Sequence, residues 1–165
     1  MDYLGHFASP LGGITMASDG GCLTGLWFDG QKYFADTLRG VPREKDLPVF
    51  QETARWLSVY FSGKAPDFTP PLSMRTTPFR QEVWRILLTI PFGQTMTYGD
   101  IAGRIARQKG IPHMSAQAVG GAVAHNDISL IIPCHRVLGA GGSLTGYAGG
   151  TEKKAWLLSL EGIYI

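Results

Sequence analysis

From Tyr3 to Phe28 the apolar residues come in short alternating or continuous runs: YLGHFAS, GGITMAS and GCLTGLWF. Runs of this length, rich in Ile, Leu, Trp and Phe, predict β-strands, and the Asp-Gly-Gly between the second and third predicts a hairpin turn. At Pro48 the period changes. Phe50, Ala54, Leu57 and Phe61 recur at steps of three and four, which predicts a helix from Pro48 to Phe61. SGKAPDFTPPLS then loses all periodicity to Pro and Gly and reads as a linker.

Beyond the linker the pattern is helical almost throughout. TTPFRQEVWRILLTIPFG begins with a Thr cap and a Pro at the first helical position, carries Phe79, Val83, Ile86, Leu87 and Ile90 as its stripe, and stops at Pro91. TYGDIAGRIA offers Thr97 as N-cap with Asp100 three residues on, the spacing of a capping box. A short turn, RQKGIPHM, leads to Ser115 and a further helix, AQAVGGAVAHN; two short helices joined in this way predict a helix-turn-helix. The last helix, TEKKAWLLSLEG, is expected to be capped by Thr151, to pack Trp156, Leu157 and Leu160, and to end at Gly162. The expected architecture is α/β (α+β): a small sheet-plus-helix domain over residues 1–75, linker included, and a mainly helical domain over residues 76–165.

Composition narrows the class. At 165 residues, 44% of them apolar, the chain has the length and the material for a real core. No stretch is long and apolar enough to span a membrane, and the N-terminus has no signal-like pattern, so the expected location is the cytoplasm. Two cysteines, Cys22 and Cys134, are too few for a disulfide scaffold, and no spacing of Cys or His suggests a metal site. The net charge is only +2, but from Thr76 onward eight Lys and Arg face five Asp and Glu. That excess permits a polyanionic partner without requiring one.

The helix-turn-helix lacks the usual reading residues. The exposed side expected for its second helix is Ala116, Gln117, Gly120 and Gly121, with little to reach into a major groove. So smooth a face suits close approach to a minor groove; the alternative is that the two glycines let helices pack tightly. The other chemical candidate is IIPCHRVLGAGGSLTGYAGG, from Ile131 to Gly150. A lone cysteine is more often a small core residue than a nucleophile. A histidine beside it changes the balance, because a thiolate forms where a base or a positive charge is at hand.

PCHRV at Pro133–Val137, with AVGGAVAHN before it and TGYAGG after it, resembles the O6-alkylguanine-DNA alkyltransferases, also called methylated-DNA–protein-cysteine methyltransferases. The likeness covers roughly the last ninety residues in the family's order and spacing. It implies a ribonuclease H-like N-terminal domain, a winged-helix-like C-terminal domain, and irreversible one-time transfer of an alkyl group to Cys134 from O6-alkylguanine, with O4-alkylthymine a second substrate. It implies no cofactor and no metal, a monomer, and double-stranded DNA bound through the minor groove with the damaged base extruded. His135 would take the thiol proton through a water, Glu161 would orient His135, and Tyr98 would donate to the departing base. Ala116, Gln117 and Gly120 would meet DNA. Tyr147 and Ala148 would wall the base pocket, Asn126 would brace the turn before the cysteine, and Arg136 would tie down its loop; both are grouped with the DNA- and base-binding set. Two positions depart from the family pattern: Gln117 stands where an arginine is usual, and Ala148 where a serine is frequent.

Overall fold

The structure is a computed structural model describing Met1 to Tyr164. β1 (Tyr3–Ser9), β2 (Gly12–Ser18) and β3 (Leu23–Phe28) form an antiparallel meander, and β4 (Arg43–Glu44) adds to the free side of β1 in parallel. The Asp-Gly-Gly turn forms as expected: Asp19 Oδ1 accepts from Gly21 N and Cys22 N, both at 2.9 Å, while Gly20 takes φ +116°. α1 (Pro48–Phe61) buries Val49, Phe50, Thr53, Trp56, Leu57 and Tyr60, so its inward face includes Phe50 and Leu57, while Ala54 and Phe61 are half-buried and Phe61 stacks on Phe7.

The chain resolves into two compact units. One comprises Met1–Arg75 together with Asp127–Ile131; the other comprises Thr76–Asn126 with Ile132–Ile165. In the first, every residue of β3 is buried, and its outer edge is covered. Leu26 N donates to Asp127 O at 2.8 Å, and Ser129 N donates to Leu26 O at 2.9 Å. The Pro-rich stretch read as a linker is also tied down: Leu23 N donates to Pro71 O at 2.7 Å, and Ser73 N to Leu23 O at 2.9 Å. Arg75 closes the unit with two 2.8 Å bonds to the carboxylate of buried Asp2. Sequence pattern misses these pairings because each involves one to three residues, too few to carry a period.

The second unit holds α2 (Pro78–Leu87), β5 (Met96–Thr97), α3 (Tyr98–Lys109), α4 (Ala116–Ala124), β6 (Val137–Leu138) and α5 (Thr151–Leu160). α2 is capped by Thr77, whose side chain accepts from Arg80 N; its inward face is Val83, Trp84, Ile86 and Leu87. Phe79 is half-exposed and Trp84, fully buried, takes the central place, its indole N–H donating to Ala122 O at 2.9 Å. α4 packs on α2 and α3 through Val119, Ala122 and Val123. The expected Thr151 cap on α5 does not form: Gly150 is the N-cap and no side chain caps that end. Trp156 is 37% exposed, and Lys154 is fully buried in its stead.

Candidate active site

Two residues of β-pairing bring distant segments together. β5 runs parallel to β6, Met96 beside Val137 and Thr97 beside Leu138. The start of α3 is thereby joined to the segment that follows Cys134. The capping box fixes how α3 leaves this junction: Asp100 N donates to Thr97 Oγ1, and Thr97 N to Asp100 Oδ2, both at 3.0 Å. Tyr98, the first helical residue, points its hydroxyl at Thr145 O, 3.1 Å away.

The cysteine sits on a doubly folded backbone. Pro133 at φ −82°, ψ 66° makes an inverse γ-turn, with Cys134 N donating to Ile132 O at 2.8 Å. Cys134–Arg136 then form a single 3-10 turn. Adjacent side chains on a flat strand would face opposite ways; here the two residues share a turn instead. Asn126 spans the neck of the preceding loop, its Nδ2 donating to Ile132 O at 2.7 Å, and its amide also hydrogen-bonds the Cys134 thiol.

Behind the cysteine lies a carboxylate with three donors. Glu161 Oε2 accepts from His135 Nε2 at 2.5 Å, while Oε1 accepts from Arg136 Nε at 2.7 Å and from Gly93 N at 2.9 Å. Burial alone would raise the Glu161 pKa, but the bonds and charges of His135 and Arg136 outweigh it and hold the carboxyl down at about 2. Burial lowers the His135 pKa, with Glu161 opposing. At neutral pH Glu161 is therefore ionised and His135 neutral. Because a carboxylate can only accept, the ring proton belongs on Nε2, which leaves Nδ1 as the basic nitrogen.

Cys134 lies in a mainly buried setting, with a polar amide and a positive charge acting on it. Cys134 is 5% exposed, and burial pushes its pKa up to about 11, with the Asn126 amide and the Lys154 charge pulling the other way. At rest the sulfur keeps its proton. A base must remove it during the reaction, which makes the neutral imidazole next door the relevant group.

Lys154 was not among the residues the sequence singled out. Its Nζ donates to Thr145 O at 2.8 Å, the carbonyl that also receives Tyr98, and burial lowers its pKa to about 8 against the opposing pull of Cys134. The signal was available in the spacing: Lys154, Leu157, Leu158 and Glu161 follow steps of three and four, and all are buried. The inward stripe of α5 thus has a charge at each end.

Arg136 and Asn126, which the family resemblance gives as loop-holding residues and groups with the DNA- and base-binding set, both face inward. Arg136 is 7% exposed, with Nη1 donating to Ile90 O at 2.7 Å and the guanidinium over the Phe92 ring, so its donors face inward. Asn126 is buried on its own loop. Both brace the cysteine turn. Tyr147 is buried and electrostatically coupled to Cys134, Ala148 is half-buried beside it, and Ala116 and Gln117 are exposed. Thr97, Tyr98, Ala116, Gln117, Gly120 and Ala140 line one hollow of about 430 Å³.

The glycines of α4 are not there for helix packing. A Cβ at Gly121 would meet nothing within 4 Å, and one at Gly120 would only touch the Tyr98 ring at 3.9 Å. Each glycine costs its helix about 1 kcal/mol relative to alanine. With no packing to offset that cost, the small residues leave a smooth face beside Tyr98.

Among the described residues no cluster of His, Cys, Asp and Glu could hold a metal ion, and no helix is long and apolar enough to cross a membrane.

Comparison with known proteins matches both halves of the chain. Residues 78–163 match the DNA binding domain of 6-O-methylguanine DNA methyltransferase, and residues 3–74 its ribonuclease-like domain. A methylated-DNA–protein-cysteine methyltransferase of Mycobacterium tuberculosis is 44% identical over 153 residues, 93% of this chain and 88% of its own length. The constitutive one of Bacillus subtilis is 37% identical, over 99% of this chain and 97% of its own. Among solved structures, the M. tuberculosis protein OGT in complex with DNA superposes with a TM-score of 0.82 at 43% identity, covering 96% of this chain and 92% of that one.

Proposed function

The chain belongs to the 6-O-methylguanine DNA methyltransferase family, and on that premise we propose how its own residues divide the work. The protein binds DNA and repairs it by moving an alkyl group from O6-alkylguanine to a cysteine of its own. Cys134 is the acceptor. The observation that carries this assignment is the 2.5 Å contact of His135 Nε2 with Glu161, which supports a neutral base on the residue next to the sulfur.

Sulfur attacks the alkyl carbon in line with the C–O6 bond. The S–C bond forms, the C–O6 electron pair passes to the guanine, and the thiol proton passes to His135 through a bridging water. Glu161 stabilises the imidazolium so formed. The guanine leaves neutral by taking up a proton, with Tyr98 as the donor; burial raises the Tyr98 pKa, so the phenol is intact at neutral pH. Lys154 supplies a positive charge that favours the developing thiolate and holds Thr145, on which Tyr98 rests. A thioether has no low-barrier route back, so each molecule acts once. The same displacement serves O4-alkylthymine.

The smooth face of α4 suits the minor groove, and a stacked base must leave the helix to reach Cys134. Tyr147 walls the pocket that receives it, and the peptide at Ala148 offers a backbone N–H where the family often adds a hydroxyl. Nothing in this scheme needs a second subunit, and two reduced cysteines suit the cytoplasm. Incubation with O6-methylguanine duplex followed by intact-protein mass measurement should show one added methyl per chain, on Cys134. Many lesions repaired per chain would overturn the scheme.

Gln117 tests the groove contact. It is exposed on the first turn of α4, where it can bond the orphaned cytosine but adds no charge. Gln117→Arg should tighten binding and steepen the log–log salt dependence by about 0.9 if the new cation meets one phosphate. Gln117→Ala should cost little. Titration at several salt concentrations reads both; unchanged slope and affinity in Gln117→Arg would remove Gln117 from the interface.

A further inference from the structure

We propose that the turn after α2, Pro91–Gly93, acts with Arg136 as a positioning clamp that dedicates one oxygen of Glu161 to His135. The inference rests on the reading of His135 as the base and concerns how that base is held.

A free carboxylate can present either oxygen to an imidazole and swing between them. Here Oε1 is occupied twice, by Gly93 N at 2.9 Å and Arg136 Nε at 2.7 Å, which leaves Oε2 for His135. Both occupants are referenced to one turn. Arg136 Nη1 donates to Ile90 O at 2.7 Å, and its guanidinium lies 5.8 Å from the centroid of Phe92. The turn is itself closed, Gln94 N donating to Pro91 O at 3.0 Å, with Gly93 at φ +82° in the third place. Only glycine, or with some strain asparagine, takes that place readily in a type II turn. A Cβ on Gly93 would also stand 3.3 Å from the backbone oxygen of Glu161, the residue the turn positions. The planar fork of Arg136 matters for the same reason: Nε and Nη1 reach two acceptors at fixed spacing, which a lysine ammonium cannot reproduce. PFG after a helix stop and Arg after Cys-His are thus parts of one device, although they lie far apart in the chain.

The clamp predicts a loss of alignment. A displacement of roughly 1 Å in a catalytic array costs on the order of 100-fold in rate, so Arg136→Lys and Gly93→Ala should each slow single-turnover methyl transfer by about 10-fold or more at pH 7. Their acid limbs should move to higher pH, because Glu161 loses part of what keeps it ionised. In ¹⁵N-histidine-labelled protein, His135 should show the Nε2–H tautomer in the native chain and a mixed or broadened signal in both variants. Gly93→Asn, which tolerates the left-handed backbone and keeps the N–H, should recover part of the rate lost in Gly93→Ala. The two variants disturb the clamp from opposite sides, so either alone decides if the other fails to fold.

If His135→Ala is slow while Arg136→Lys and Gly93→Ala keep the native rate, pH profile and tautomer, the clamp is refuted and the base stands. If His135→Ala itself transfers at the native rate, the reading beneath the clamp has failed. Lower melting temperature with an unmoved pH profile and tautomer makes the cluster a structural ion pair and also refutes the proposal.

Discussion

Cys134→Ala should transfer no alkyl group and bind duplex DNA within about threefold of the native protein, a difference of some 0.65 kcal/mol. The sulfur is 5% exposed at the foot of a turn, so its loss changes little of the surface DNA would meet. The only other cysteine, Cys22, lies in the β2–β3 turn of the first unit, where its backbone N–H donates to Asp19. The excised atom is small, and the turn that carries it is held by backbone bonds and Asn126, so the fold should persist. Intact mass after incubation with O6-methylguanine duplex, alongside a binding titration on the same preparation, checks both halves. A methyl group found elsewhere on the variant would displace Cys134 as the acceptor.

Glu161→Ala should both slow the reaction and destabilise the protein. Its removal leaves the buried Arg136 guanidinium with one carbonyl partner, strands the Gly93 N–H, and frees His135 to change tautomer. Breaking a buried ion pair from one side costs about 3–5 kcal/mol; at about 2–4 °C per kcal/mol for a chain of this size, the melting temperature should fall by roughly 6–20 °C. Transfer should fall by about 10²- to 10⁴-fold, the usual worth of a general base. Glu161→Gln separates the effects: an amide oxygen can still accept from Gly93 and Arg136, but its NH₂ then faces His135 and reverses the ring proton. It should keep more of the stability and little of the rate. The pH dependence has a definite sign. Since Glu161 is held at about 2 against an ordinary 4.5, its stabilisation is complete above pH 4.5 and lost as pH falls toward 2. Melting curves of native protein and Glu161→Ala should therefore converge across that window. A constant gap down to pH 2 would mean the carboxylate charge contributes nothing.

Where local chemistry decides an element, the sequence was sufficient. Thr97 with Asp100, Pro78 after Thr77, and Gly162 at φ +87° after α5 each act through bonds or backbone preferences spanning a few residues, and at those ends the helices start or stop where the pattern put them. The Cys-His pair and the distant Glu were legible through family resemblance, not through spacing. What remained hidden depends on pairs far apart in sequence. Two residues each of β5 and β6 bring Tyr98 to the cysteine turn, and so short a pairing leaves no alternation to detect. Arg136 was expected to tie down its loop, but the partners that hold it, Glu161 and Ile90, are distant in the chain and leave no local mark. Lys154 was hidden because exposure is the ordinary state of a lysine.

The placement of Asp127–Ile131 with the first unit bears on synthesis. A ribosome delivers Met1–Arg75 first, then all of Thr76–Asn126, before the strand-like piece that caps Leu26 emerges. At about 5–20 residues per second that delay is roughly 3–10 s. Throughout it the nascent sheet carries a bare hydrogen-bonding edge at Leu26, between apolar neighbours, a template for pairing with another chain. Yield of the newly made protein should thus depend on translation speed and on holdase chaperones more than the stability of the finished molecule would suggest.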